Sequence, residues 1–124
     1  MNHGISIRPS KDIRTNYAQI SALTRQNPVA ITVNGKEDTV LLSHEEYQEQ
    51  LYIDNLAMFA NIPNLAGISP WILFDFRSPY RFHPTNQEGW NRKGLLSDRG
   101  QRKKAWHVIH DYYRSKQAEQ SKRK

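Results

Sequence analysis

The chain has 124 residues, 37% of them hydrophobic and none of them cysteine, which suits one domain or two small units and excludes disulfides and thiolate metal sites. Residues 1–62 carry five Lys and Arg against seven Asp and Glu, whereas residues 63–124 carry thirteen against five. This uneven charge indicates two parts with different histories or partners, and a basic surface favours nucleic acid.

Two observations bear on the compartment. The first thirteen residues contain no apolar run, so we expect no secretory signal. The longest apolar stretch, residues 71–74, is far too short to span a bilayer. With no cysteine in the chain, these features favour a cytoplasmic protein without a membrane partner.

The chain begins with a predicted strand and helix. Residues 5–8 alternate apolar and polar side chains, which is typical of a short strand. Ser10 is a candidate N-cap for a helix that ends at Asn27-Pro28, because proline disfavours a helical residue before it. The spacing predicts one apolar helix face, made of Ile13, Tyr17, Ile20 and Leu23.

A hairpin and a second helix are predicted next. Residues 29–33 are largely β-branched and favour a strand, and Asn34-Gly35 is a strong turn signal. We expect the return strand at residues 39–42, after a five-residue connection. Ser43 and Glu46 fit a capping box that opens a helix, and its buried side is expected to contain Tyr47, Leu51, Leu56 and Phe59.

The composition changes after Pro63. Residues 67–76 are densely apolar and predict a buried strand. We expect its part Pro70–Phe76 to make the protein self-associate, because its strand edges are exposed when neighbouring strands are missing. Residues 78–100 are rich in Pro, Gly, Asn and Arg and predict a long loop. Residues 102–116 predict an amphipathic helix with Ala105, Ile109 and Tyr112 on one face. The predicted fold class is therefore α+β.

Three motifs occur in order in the first third: Ile7-Arg8-Pro9-Ser10-Lys11-Asp12-Ile13-Arg14, then Asn16-Tyr17, and Leu42-Ser43-His44-Glu45-Glu46-Tyr47 after the hairpin. With the intervening hairpin they resemble the Phd/YefM family of type II antitoxins. The resemblance implies that residues 1–46 form a module that dimerises and binds duplex operator DNA. It also implies a following segment that neutralises a partner toxin.

The charge of this part bears on that implication. Residues 1–36 carry five basic side chains against one acidic side chain, Asp12. Arg8, Lys11 and Arg14 are the candidates for contacts with phosphates or with guanine edges. The alternative is an ordinary solvated helix face.

The remainder contains the run Ile62-Pro63-Asn64-Leu65-Ala66-Gly67-Ile68-Ser69-Pro70-Trp71-Ile72-Leu73-Phe74-Asp75-Phe76, followed by Gly89-Trp90-Asn91-Arg92-Lys93-Gly94. These motifs resemble the last strand and helix of the barrel of glycoside hydrolase family 2, which includes β-galactosidases and β-glucuronidases. Residues 47–124 are then a barrel fragment. The resemblance implies that Trp71 offers an aromatic face to a sugar and that Asn91 and Lys93 hold a sugar carboxylate. In this chain, which lacks the rest of the barrel, the favoured interpretation is that Trp71, Asn91 and Lys93 are relics of that sugar site.

Glycoside hydrolysis needs two carboxylates, and in this family both come from earlier barrel strands that the chain lacks. We therefore expect no enzyme activity and no cofactor. We also expect no metal, because His107 and His110 do not have the spacing of zinc motifs. The favoured function is a dimeric, operator-binding antitoxin module fused to a catalytically incomplete glycosidase fragment. The alternative is a C-terminal fragment of a family 2 glycoside hydrolase, inactive on its own.

Overall fold

The computed structural model describes residues 5–81 and 87–124. Helices and strands occur together, which confirms the predicted α+β class. The chain divides into two compact units, Met1–Tyr47 and Gln48–Lys124. The regular elements are β1 (Ser6–Pro9), α1 (Lys11–Thr15), α2 (Tyr17–Thr24), β2 (Val29–Val33), β3 (Lys36–Leu41), α3 (His44–Phe59), β4 (Phe76–Arg77), β5 (Trp90–Asn91) and α4 (Lys104–Lys122), with a 3-10 turn at Pro79–Arg81.

The first unit is built on a three-stranded sheet in the order β1-β2-β3. β1 runs parallel to β2, and β3 runs antiparallel to it. Ile20 of α2 packs against Val29 and Ile31 of β2, and Ile13, Leu23 and Leu41 surround them. Full burial of one such side chain contributes about 1.5–3 kcal/mol. This cluster therefore holds α1 and α2 on one face of the sheet.

The prediction of a single helix after β1 is wrong, because two helices, α1 and α2, are present there. Asn16 leaves helical geometry, with φ −139° and ψ 33°, and separates α1 from α2. Because the break changes the helical phase, Tyr17 is 58% exposed rather than part of the buried face. Ser10 makes no side-chain capping hydrogen bond. Its backbone N–H donates instead to the carbonyl oxygen of Thr32 (2.9 Å), which ties the start of α1 to β2.

The hairpin turn is tighter than the predicted five-residue connection. Asn34 and Gly35 have φ values of 51° and 76°, as a two-residue type I′ turn requires. β3 consequently begins at Lys36, three residues before the predicted start at Thr39. Residues 36–38 are polar because this edge strand is exposed throughout that stretch. A bulge between Ile31 and Thr32 adjusts the pairing register.

Helix α3 begins as predicted but buries a different side. The backbone N–H of Glu46 donates to Ser43 Oγ (3.1 Å), which is one half of the expected capping box. Tyr47 and Leu51 are 59% and 47% exposed, so their assignment to a buried side is wrong. The buried helix residue is Gln48. Its amide binds backbone carbonyls, which an apolar periodicity cannot reveal.

The core of the second unit consists of Leu95, Ala105 and Ile109. Tyr52, Leu56, Ile68 and Trp106 pack against it. Helix α4 begins at Lys104 and continues to Lys122, beyond the predicted end at residue 116. The predicted burial of Ala105 and Ile109 is confirmed, and Tyr112 is partly exposed.

The buried strand predicted at residues 67–76 is wrong. Its last residue, Phe76, opens the two-residue β4, which pairs with β5, and Phe74 forms a single bridge with Leu96. Trp71 and Leu73 are 58% and 50% exposed, whereas Asp75 is buried. A strand without neighbours leaves backbone N–H and C=O groups unpaired along its edges, and among the described residues the backbone of this segment pairs with residues 90–96 alone.

The predicted loop at residues 78–100 contains β5 and the core residue Leu95, so part of it is ordered packing rather than loop. Residues 82–86 of that loop lie outside the described residues. The loop also contains Gly94, which is buried. A Cβ atom at Gly94 would overlap the backbone N of Asp75 and the backbone C of Phe74, and would lie 2.6 Å from the carbonyl oxygen of Leu96.

We expect Gly94→Ala to lower the free energy of unfolding by about 1–3 kcal/mol, because the added methyl group meets backbone atoms that cannot rotate away. Gly67→Ala is the matched control, since a Cβ atom added at Gly67 would have no heavy atom within 4 Å of it. It should change stability by no more than about 0.5 kcal/mol. Urea unfolding followed by tryptophan fluorescence measures this, because Trp71, Trp90 and Trp106 all lie in the second unit. Equal effects of both substitutions would contradict the close approach at Gly94.

Candidate functional site

The three candidate DNA-binding residues lie on consecutive parts of the first unit. Arg8 is in β1, and Lys11 and Arg14 are in α1. Lys11 and Arg14 are exposed and three residues apart, so they are neighbours on the helix surface. Arg8 is half-buried, and its carbonyl oxygen accepts a hydrogen bond from Thr32 Oγ1 (3.5 Å). These three residues form the cationic end of the first unit.

The cationic end is anchored and available. The Ser10–Thr32 backbone hydrogen bond ties the connection between β1 and α1 to β2. Within residues 5–81 and 87–124, Arg8, Lys11 and Arg14 have no ion-pair partner. A ligand that binds them therefore does not have to displace a protein carboxylate.

The sheet of the first unit also has a face opposite its helices. Ile7, Ala30 and Val40 are paired across the three strands and form one row. Because side chains alternate along a strand, this row lies on the opposite face from Val29 and Ile31. Ile7 and Val40 are 60% and 56% exposed, although Ala30 between them is buried. The first unit thus presents an apolar row as well as a cationic end.

The candidate sugar-binding residues all lie in the second unit. The Trp71 ring is largely exposed and packs edge-on against Phe76, with 5.5 Å between ring centroids. Phe76 pairs with Asn91 in the two-stranded sheet, so it links the surroundings of Trp71 and Asn91. Asn91 Oδ1 accepts the backbone N–H of Lys93 (3.1 Å), and the Lys93 side chain is exposed. Part of the Asn91 amide is therefore engaged in shaping its own turn.

A buried ion pair, which the sequence did not lead us to expect, holds this turn in place. Asp75 Oδ1 accepts hydrogen bonds from Lys103 Nζ (2.8 Å) and from the backbone N–H of Gly94 (2.9 Å). The side chains of Asp75 and Lys103 are 3% and 16% exposed. Lys103 Nζ also donates to the carbonyl oxygen of Arg92 (3.0 Å). The segment 92–94 is therefore bound through both its N–H and C=O groups.

Gln48 completes these contacts from α3. Its Nε2 donates to the carbonyl oxygens of Lys93 (3.2 Å) and Gly94 (3.0 Å). Its buried Oε1 has no hydrogen-bond partner among the described residues. The sequence offered one signal for this cluster, a lone Asp within an apolar segment, since a buried charge requires a partner. It did not identify Lys103, which is 28 residues away.

Arginine side chains lie over tryptophan rings at the β4–β5 sheet and beside the start of α4. The guanidinium carbons of Arg77 and Arg92 lie 4.4 Å and 5.7 Å from the Trp90 ring centroid. The guanidinium carbon of Arg102 lies 4.2 Å from the Trp106 ring centroid. These cation–π contacts hold the aromatic rings in place while leaving the side chains of Arg77, Arg92 and Arg102 accessible to solvent.

One titratable group in the core of the second unit is perturbed. Burial raises the pKa of the Tyr52 phenol above its ordinary value, and Tyr113 raises it further. The folded unit consequently favours the neutral Tyr52 phenol over the charged phenolate. This contribution to stability is present below the ordinary tyrosine pKa and is lost as the pH rises through the raised one.

No protein-family model matches the chain, and no curated protein matches it. Across residues 5–81 and 87–124, no group of three or more His, Asp and Glu side chains is arranged to hold a metal ion. His110, one of the two spaced histidines, stacks on Trp106 with its ring centroid 4.7 Å away. None of the helices in the described part of the chain combines the length and apolarity needed to cross a membrane.

We expect Lys103→Met to lower the free energy of unfolding by about 3 kcal/mol, because it leaves the buried Asp75 carboxylate without its cation. Lys93→Met removes the same charge from an exposed side chain and should change stability by no more than about 0.5 kcal/mol. The double variant Asp75→Asn/Lys103→Met should lose less stability than the sum of the losses in the single variants Asp75→Asn and Lys103→Met. Urea unfolding of all four variants measures this, and strict additivity would show that the pair is not coupled.

Proposed function

We propose that the chain is an antitoxin-type DNA-binding protein that acts as a dimer in the cytoplasm, binds operator DNA through its first unit and neutralises a partner toxin. The observation that carries the proposal is the cationic end, where Arg8, Lys11 and Arg14 have no ion-pair partner among the described residues. The resemblance of residues 5–50 to Phd/YefM antitoxins supports the same function.

The geometry of the cationic end suits a phosphate backbone. Most contacts that position a protein on DNA go to phosphate oxygens, and arginine and lysine supply many of them. Lys11 and Arg14 share a helix face, and the backbone before them is tied to β2 through Ser10. Charges on an anchored segment lose less conformational freedom on binding than charges on a loose tail.

The apolar row of the first unit supports the dimer. Ile7 and Val40 lie on a sheet face that α1 and α2 do not cover. Covering these side chains with a second copy would remove apolar surface from water at about 25 cal/mol per Å². A two-fold dimer would also present two cationic ends to two half-sites of a palindromic operator.

We expect Arg14→Gln to weaken binding to a duplex from the chain's own upstream region. If one phosphate contact is lost, the slope of log K against log salt should fall in magnitude by about 0.9. Fluorescence anisotropy of a labelled duplex between low and moderate salt measures both quantities. The stoichiometry at saturation reports whether two chains bind each operator.

Arg25→Gln is the matched control for this experiment. Arg25 is an exposed arginine of the first unit, but it follows α2 rather than lying on β1 or α1. The control removes the same net charge as Arg14→Gln. Because Arg25 lies outside the cationic end, the proposal requires that the slope of log K against log salt stay nearly unchanged. If both variants lower the slope equally, the attraction is a general charge effect, and the cationic end is not the interface.

The proposal includes no glycosidase activity. Asp75, the buried carboxylate of the second unit, is committed to Lys103 and Gly94. Because the two carboxylates that hydrolysis needs are expected on barrel strands that the chain lacks, chromogenic β-glucuronides and β-galactosides should show no turnover above a heat-treated sample, and a complete family 2 hydrolase serves as the positive control. Turnover that disappears in the Lys93→Ala variant would overturn the expectation of no activity, both for this proposal and for the alternative of an inactive hydrolase fragment.

A further inference from the structure

A groove of about 430 Å³ runs along one side of α4 in the second unit. Its floor includes the core residues Leu95 and Ile109, and its far wall is the segment around Pro70 and Leu73. The near wall is a stripe of α4 that starts at Trp106 and ends at Gln117. The volume falls in the range of pockets that bind small molecules, about 300–1,000 Å³.

The end of the groove at Trp106 is rigid. Leu73 is half-exposed although it faces the groove beside the buried Leu95. Trp106 is held by two neighbouring side chains. The guanidinium carbon of Arg102 lies 4.2 Å from the ring centroid, and the His110 ring stacks at 4.7 Å with an angle of 18° between the planes. An indole already fixed in this way loses little freedom when a ligand packs against it.

The other end of the groove is cationic. Arg114 lines it and is exposed, and among the described residues it has no ion-pair partner. Tyr113, also on the groove wall, already donates its hydroxyl to the carbonyl oxygen of Ile68 (3.0 Å). That bond ties α4 to the opposite segment and fixes the width of the groove. Arg114 therefore has guanidinium N–H donors that no carboxylate of the described residues binds, and they lie beside the apolar floor of the groove.

The spacing of these two ends indicates the size of the ligand. Arg114 follows Trp106 by eight residues on α4, which separates them by about 12 Å along the helix axis. An extended chain advances about 1.2 Å per bond, so roughly ten bonds cover that distance. A carboxylate accepts two parallel hydrogen bonds from a guanidinium.

We propose that this groove binds a medium-chain fatty carboxylate, with its carboxylate on Arg114 and its alkyl chain along Leu73, Leu95 and Ile109 toward Trp106. This binding is independent of DNA binding, because every residue that carries it belongs to the second unit. It also uses none of the candidate sugar-binding residues.

Isothermal titration of the full-length protein with decanoate, below the concentration at which decanoate forms micelles, tests the proposal. We expect saturable binding with one decanoate per chain. Each methylene removed, from decanoate to octanoate to hexanoate, should weaken binding about fourfold. Decanol, which has the same chain but no charge, should bind at least about tenfold more weakly, because it cannot form the bidentate contact.

Two variants of α4 locate the headgroup. Arg114→Gln should weaken decanoate binding at least about tenfold and leave decanol binding unchanged. Lys116→Gln is the matched control: it removes one positive charge two residues away on the same helix, but Lys116 contacts Glu119 and Tyr112 and does not line the groove. Both side chains are exposed, so neither substitution should affect folding, and circular dichroism checks this.

Several outcomes would overturn the proposal. They are the absence of saturable binding, equal affinity for decanoate and decanol, and equal losses in the Arg114→Gln and Lys116→Gln variants. Equal affinity for decanoate and decanol would show that the groove binds alkyl chains without recognising the carboxylate. Equal losses of affinity in the two variants would show that Arg114 acts only through the overall positive charge of α4. None of these outcomes affects the proposed DNA binding, which is tested with substitutions in the first unit.

Discussion

The burial of a single carboxylate constrains the second unit more than any other interaction. Asp75 is buried, and an unpaired charge in a buried position would cost several kcal/mol. Lys103 and the N–H of Gly94 replace its lost hydration. Lys103 is also the N-cap residue of α4, so this pairing ties the start of that helix to Asp75. The absence of a side chain at Gly94 is the steric condition for the same contact.

The two units differ in how far local sequence determines them. β2 was predicted at its observed bounds, because β-branched residues and the Asn34-Gly35 turn act over a few positions. The second unit depends on pairs distant in sequence, such as Asp75 with Lys103. Its strands are two residues long and carry no periodicity. The segment around Trp71 was predicted to be buried because apolar composition does not reveal whether neighbouring strands exist.

The candidate sites follow the same division. The cationic end was visible in sequence, since Arg8, Lys11 and Arg14 lie within seven positions and adopt adjacent places on β1 and α1. The groove could not be predicted from the sequence, because it combines a segment near Pro70 with Leu95 and with one stripe of α4. The amphipathic pattern identified Ile109 as core but gave no reason to expect a cavity beside it. Each unit thus has its own core and its own candidate ligand.

Helix α4 extends well beyond the core that it packs against. Its last buried residue is Ile109, yet the helix continues to Lys122 with mostly exposed side chains. Isolated helices of that length are marginal in water, so the distal turns persist mainly as an extension of the packed ones. Local opening should therefore become progressively cheaper toward the C-terminus. In hydrogen exchange α4 would behave as a graded element, with slow amides near Ile109 and fast ones beyond Tyr113, rather than as one cooperative rod.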